Sequence, residues 1–147
     1  MAGNIDILRT YYYNCRPYIG NPPTLEETEK QRNFDKFTAA IQMLPRFECR
    51  FGRLEKRTVS GTVVYYEQKR VDVMLAIDLV NLSSKHLITH AAILTGDSDL
   101  IPAIQMAKND GIITHLFYSD IGTSNDLKQV CDELTHLDKD ALYSCRA

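Results

Sequence analysis

Past Gln68 the chain alternates between two hydrophobic periods, and this alternation limits its fold more than any other feature. Val71 to Leu82 reads as a helix and His90 to Thr95 as a short apolar strand ending at Gly96. Ser98 to Asn109 reads as a helix closed by Asp110-Gly111, Ile112 to Tyr118 as a strand, and Ser124 to Leu134 as a further helix. Strands and helices in turn imply βαβ crossovers, which lay the strands parallel. The expected class is therefore α/β with a mostly parallel central sheet.

The first half adds a strand over Ile5 to Tyr13, rich in β-branched and aromatic residues, and a turn at Asn21-Pro-Pro-Thr24. Thr24 with Glu27 makes a capping-box start for a helix. Phe34, Phe37, Ile41 and Leu44 then share one face of it, and Pro45 stops the run. Phe47 to Arg57 and Thr62 to Glu67 alternate around Ser60-Gly61, which predicts a hairpin. No linker or repeat divides the 147 residues, so a single domain is expected.

Charge is unevenly spread. From Arg46 to Arg70, seven basic residues (Arg46, Arg50, Arg53, Lys56, Arg57, Lys69, Arg70) face three acids (Glu48, Glu55, Glu67), so the segment is +4 within a chain of net charge −2 and the remainder is −6. The overall balance does not announce a nucleic-acid binder. A local basic patch beside an acidic site nonetheless suits a phosphate-bearing polymer bridged by a metal, while a solvated hairpin is the plainer account. The cysteines, Cys15, Cys49, Cys131 and Cys145, show no C-x-x-C pair, which fits reduced thiols and a cytoplasmic setting. No apolar run approaches membrane-spanning length, and Met1-Ala2-Gly3-Asn4 lacks the charged and apolar regions of a signal peptide.

The sharpest motif is Thr95-Gly-Asp-Ser-Asp-Leu100, placed where a buried strand gives way to a helix. Ligands bind at this carboxyl edge in open α/β sheets. Asp97 and Asp99 would project from one loop, and a divalent cation relieves the repulsion of two adjacent carboxylates. Hard oxygen ligands favour Mg²⁺ or Mn²⁺ over Zn²⁺. A helix cap by Ser98 or Asp99, with Pro102 in the first turn, accounts for one of these residues but not for both aspartates.

Asp72 is the natural partner, opening a helix just after Lys69-Arg70. Of the twelve residues Val71 to Leu82 only Asp72, Asp78 and Asn81 are polar, so this helix is expected to be covered nearly all round. Asp78 lies about 240° farther around it at 3.6 residues per turn. Asp72 is thus the expected ligand, with Asp78 behind it or ion-paired. The histidines His86, His90, His115 and His136 are read as structural, without a zinc site.

Taken together, Gln68-Lys-Arg-Val-Asp-Val73, Asp78, Leu94-Thr-Gly-Asp-Ser-Asp-Leu-Ile-Pro-Ala-Ile104, Gly111-Ile112, Thr123-Ser-Asn-Asp-Leu127 and Cys131-Asp-Glu-Leu134 resemble the NYN-domain family, a branch of the PIN-like ribonucleases. The resemblance implies a three-layer, Rossmann-like α/β fold and Mg²⁺- or Mn²⁺-dependent cleavage of RNA. It implies acidic ligands at Asp72, Asp97 and Asp99, with Asp78, Ser98 and Ser124 supporting them. Family members usually open on a strand ending in an Asp-Gly-x-Asn-type motif. Here the chain starts at what reads as the second strand, and Asn4 and Asp6 do not replace that motif, so an N-terminally incomplete domain is expected, with an open sheet edge that invites a homodimer.

In the expected mechanism Lys69 or Arg70 neutralises the phosphate, Arg50, Arg53, Lys56 and Arg57 guide the strand, and Tyr65 or Tyr66 stacks a base. The rival reading is a non-catalytic RNA-binding or interaction module on the same fold. A serine esterase using Ser98 would need its Gly-Asp-Ser near the N-terminus and a late Asp-x-x-His, and the spacing of Asp132 and His136 does not supply that pair. A phosphatase of the Asp-x-Asp type would place its motif after the first strand and follow it with Thr or Val, where this chain has Leu100.

Overall fold

The structure, a computed structural model, describes residues 6–59 and 62–144. The elements in order are β1 (Thr10–Cys15), α1 (Leu25–Gln42), β2 (Phe47–Val59), β3 (Thr62–Lys69), α2 (Val71–Ser84), β4 (His90–Leu94), a 3₁₀ turn (Ser98–Leu100), α3 (Ile101–Asn109), β5 (Ile113–Tyr118), α4 (Asn125–Val130), β6 (Glu133–His136) and α5 (Lys139–Ser144). The class is α/β, as the alternation required. The chain forms two compact units, one ending at Met74 and one beginning at Leu75, and each holds a three-stranded sheet.

In the first unit the strand order is β1-β2-β3, with β1 parallel to β2 and β2 antiparallel to β3. The strand expected from Ile5 begins at Thr10, whose N–H donates to the Arg46 carbonyl (2.8 Å). Its partner β2 starts only after Pro45, so earlier residues have no ladder to join. Ile5 itself, and the hairpin turn expected at Ser60-Gly61, lie outside the described residues. The α1 capping box forms as expected: Thr24 Oγ1 accepts from Glu27 N (3.1 Å) and Thr24 N donates to Glu27 Oε2 (2.8 Å). Phe34 packs edge-on to Phe51 and Phe37 to Tyr12, fixing α1 on the β1–β2 face. The residue α1 buries is Thr38, not a phenylalanine, because its hydroxyl donates to the Phe34 carbonyl (2.9 Å) and so loses nothing on leaving water.

The second unit holds an all-parallel sheet in the order β4-β5-β6. Ile93 and Leu116 from its inner face meet Ile104 of α3 and Leu127 of α4 in the core. Burying side chains of this size stabilises by about 1.5–3 kcal/mol each. Gly111, at φ +83°, closes α3: its N–H donates to Lys108 O and the Ile112 N–H to Ala107 O. His86 takes the same left-handed position after α2, its N–H donating to the Ser83 carbonyl (2.9 Å).

Two expectations about the elements are corrected. The helix expected over Ser124 to Leu134 ends at Val130, and Glu133–His136 instead pairs parallel with β5. Cys131 turns extended (ψ 151°), and the Asp132 N–H is captured by the Thr114 carbonyl (3.0 Å). Tertiary bonds to β5 there outweigh local helix preference. The α2 helix is not covered all round either: Val73 and Ile77 are 60% and 61% exposed. Asp72 is exposed and Asp78 is buried, so only one of the two carboxylates left water. Among the described residues no helix is long and apolar enough to cross a membrane.

Candidate active site

Because β4, β5 and β6 run parallel, their carboxyl ends form one rim, and the Thr95–Asp99 loop leaves β4 on that rim. Gly96 is required there by close approach. A Cβ on it would sit 2.4 Å from the carbonyl oxygen of Gly122, in the loop that leads to α4. The two rim loops therefore touch through backbone. No larger residue fits without moving one of them.

Thr95 Oγ1 then accepts from the Asp97 N–H (3.1 Å), and Asp97 Oδ1 accepts from the Asp99 N–H (2.9 Å). Asp97 thus caps the 3₁₀ turn, the position the sequence offered to Ser98 or Asp99. The expected continuous helix from Ser98 is a 3₁₀ turn followed by α3, with Pro102 in the first turn of α3, where its missing N–H costs no bond. Capping occupies one oxygen of Asp97. Among the described residues no bond engages its other oxygen or the exposed Asp99 carboxylate. Ser98 is exposed beside them.

Ser124, on the neighbouring rim loop, caps α4 by accepting from the Leu127 N–H (3.1 Å). Its place two residues after Gly122 brings its loop against the Asp97 loop, and its hydroxyl has a structural duty. Asp72 lies exposed in the first turn of α2, in the first unit, two residues after Arg70, which adopts a left-handed φ of 77°. That conformation is uncommon outside glycine and marks a constrained junction. Asp78 belongs to the second unit and is 8% exposed. Among the described residues no group of three or more His, Cys, Asp or Glu side chains gathers closely enough to hold a metal ion. On the Thr95–Asp99 loop the carboxylates with oxygen left for a ligand are Asp97 and Asp99. Two hard carboxylates suit Mg²⁺ or Mn²⁺, ions that commonly keep waters in their remaining positions.

The basic hairpin is less free than its composition implies. Arg50 pairs with Glu48 (3.0 Å), Arg53 with Glu55 (2.5 Å), and Arg57 with Glu67 (2.5 Å), while Lys69 also bonds Glu67. Hydrogen bonds from Lys69 and then Arg57 hold the Glu67 carboxyl below its ordinary range. Such partly exposed pairs at the surface stabilise little. The Lys56 ammonium lies over the Tyr18 ring (5.6 Å), and the Arg50 guanidinium over Tyr11 (4.8 Å), which stacks on Tyr13 (6.1 Å). Tyr65 and Tyr66, the two tyrosines expected to stack a base, are both exposed, and Tyr66 leans on Tyr18 (5.2 Å).

A second carboxylate centre, built on Asp132 of the Cys131-Asp-Glu-Leu134 run, lies at the opposite end of the β4–β5–β6 sheet. Asp132 Oδ2 accepts from both the N–H and the Oγ1 of Thr114 (2.8 Å each), and Oδ1 meets Lys108 Nζ (2.9 Å). The Thr114 backbone bond, then Lys108, then the Thr114 hydroxyl depress its pKa to about 2. Only the paired register of β5 and β6 makes this clasp possible.

The NYN domain family matches residues 3–138. The chain belongs to the NYN domain family. NYN domains are PIN-like and nuclease-like, their nucleases act on RNA and generally use divalent metals, and the α/β architecture agrees with that fold. The chain is 36% identical over 50 residues to the uncharacterised protein y4oD of Sinorhizobium fredii, a match covering 34% of this chain and only 23% of that protein's length. It also resembles the crystal structure of a protein of unknown function from Vibrio parahaemolyticus, with a TM-score of 0.55 and 17% identity over 86% of this chain and 68% of the other. That second likeness concerns the fold alone.

Proposed function

We propose that this NYN domain is a divalent-metal-dependent ribonuclease that cleaves RNA phosphodiester bonds, with Asp97, Asp99 and Asp72 as its acidic residues. The observation that carries the reading is the Asp97–Asp99 pair on the carboxyl rim of a parallel sheet, with Asp97 held by Thr95 and carboxylate oxygen left for a ligand. Mg²⁺ or Mn²⁺ bound there supplies Lewis acidity and a water of lowered pKa. The chain's own part is to fix Asp97 through its cap, to keep Asp99 in reach of solvent, and to carry Ser98 and Ser124 on the adjoining loops. Asp78 supports α2 from its buried position.

Lys69 and Arg70 would neutralise the phosphate, Arg50, Arg53 and Arg57 would exchange their glutamate partners for the RNA backbone, and Lys56 would leave its place over Tyr18 for it. The family match runs through both units, which supports reading residues 1–147 as a single NYN domain. The reading extends to a cytoplasmic protein, and to a homodimer formed along an edge strand such as β1 or β4. The rival, a non-catalytic RNA-binding module, is favoured by one observation: among the described residues no three His, Cys, Asp or Glu side chains gather closely enough to hold a metal ion.

Incubation with labelled single-stranded RNA in Mn²⁺ and in EDTA separates the two readings. Cleavage that needs the metal is expected. Binding without cleavage in either buffer would overturn the enzyme reading and leave the module.

A further inference from the structure

A cavity of about 230 Å³ opens on the rim beside the Asp97 loop, lined by Leu94, Thr95, Gly96, Phe117, Tyr118, Ser119, Ile121 and Thr123. We infer that it is a nucleobase subsite, which seats one unstacked base beside the scissile phosphate and so selects single-stranded RNA. The inference rests on the ribonuclease reading for its substrate, but its geometry is independent of the metal.

Its walls are of two kinds. Leu94 and Ile121 stand 70% and 91% exposed, apolar side chains held open to water at the mouth of a concave site. A ligand with apolar faces would cover them. Phe117 and Tyr118 line it too, but the Phe117 ring stacks on His115 (4.5 Å) and the Tyr118 ring carries Lys128 and His136, so the apolar contact offered to a base comes from Leu94 and Ile121. The hydroxyls of Thr95, Ser119 and Thr123 supply groups for a base edge. Thr95 and Ser119 already accept backbone N–H bonds, from Asp97 (3.1 Å) and Ile121 (3.3 Å), which leaves each its own O–H to donate.

Charge agrees with a nucleotide. The Lys128 ammonium lies 4.1 Å from the centre of the Tyr118 ring, next to where the phosphate of a seated nucleotide would run. The Tyr118 ring also leans on His136 (5.3 Å), whose Nε2 lies 2.9 Å from an Asp120 carboxylate oxygen. Position gives the last argument. Thr95 and Gly96 wall the cavity and lead directly into Asp97, so a base held here puts its own phosphodiester at the carboxylates.

The test measures affinity for a single-stranded RNA hexamer, and for a duplex of equal length, in EDTA. Ile121→Asp and Leu94→Asp alter exposed positions and should fold normally. Each is expected to weaken hexamer binding about 10-fold or more, from the apolar cover lost and the charge introduced, and to weaken duplex binding less. In Mn²⁺ the same variants should raise KM for cleavage. Unchanged hexamer affinity in both variants, or equal losses for duplex and hexamer, would overturn the subsite. Wild-type protein that binds the hexamer through this cavity but never cleaves it retains the subsite and removes the nuclease, whereas metal-dependent cleavage with KM unmoved by either variant does the reverse.

Discussion

The two ends of the β4–β5–β6 sheet carry aspartates of opposite character. At the amino end, Asp132 accepts three charge-assisted or backbone bonds, its pKa is drawn down to about 2, and it ties β6 to β5. At the carboxyl end, Asp97 accepts one bond and keeps its other oxygen, and Asp99 lies open beside it. The residue type is the same. Saturation with donors makes the first a structural clasp, and the lack of it leaves the second available to a cation or a phosphate's retinue of waters.

Substitution at the two ends should therefore fail in different assays. Asp97→Asn is expected to lower Mn²⁺-dependent RNA cleavage about 100-fold or more while thermal stability moves little, read by turnover and melting in parallel. Undiminished turnover would erase the distinction. Gly96→Ala is expected to cost about 1–3 kcal/mol of stability, because its Cβ would press on the Gly122 carbonyl at 2.4 Å and push the rim loops apart. A denaturant midpoint equal to wild type would show that the loops do not touch as described.

Asp132→Asn should show the reverse of Asp97→Asn: cleavage kept and about 1–2 kcal/mol of stability lost, an amount reduced by the partial exposure of the Lys108 pair. The sign with pH follows from the depressed pKa. The clasp contributes above pH 4 and is lost as pH falls through about 4 toward 2. The stability gap between wild type and Asp132→Asn should thus close across that window, and a gap that stayed constant would assign the effect to packing. Ser124→Ala, which removes the α4 cap, is expected to cost about 1 kcal/mol, measured by denaturant unfolding.

Much of this was legible in local chemistry. The Thr24–Glu27 box, the Gly111 terminus and the apolar strands His90–Leu94 and Ile113–Tyr118 each depend on residues close in sequence, and each formed where the pattern put it. The errors arose where distant groups decided. Glu133–His136 has no strong strand pattern and became β6 because Asp132 and Thr114 meet. The +4 hairpin segment looked like a free basic patch, yet the antiparallel register sets Glu55 and Glu67 opposite each other, within reach of Arg53, Arg57 and Lys69.

Sequence alone determined the α/β class, the parallel crossovers and the acidic loop at the end of β4, since all three follow from periodicity and from glycine and aspartate at a strand's end. Tertiary structure alone decided which aspartate is saturated and which is open, and that a cavity stands beside the open one. Hydrogen-bond supply and concavity are sums over segments far apart in the chain, and no local pattern carries them.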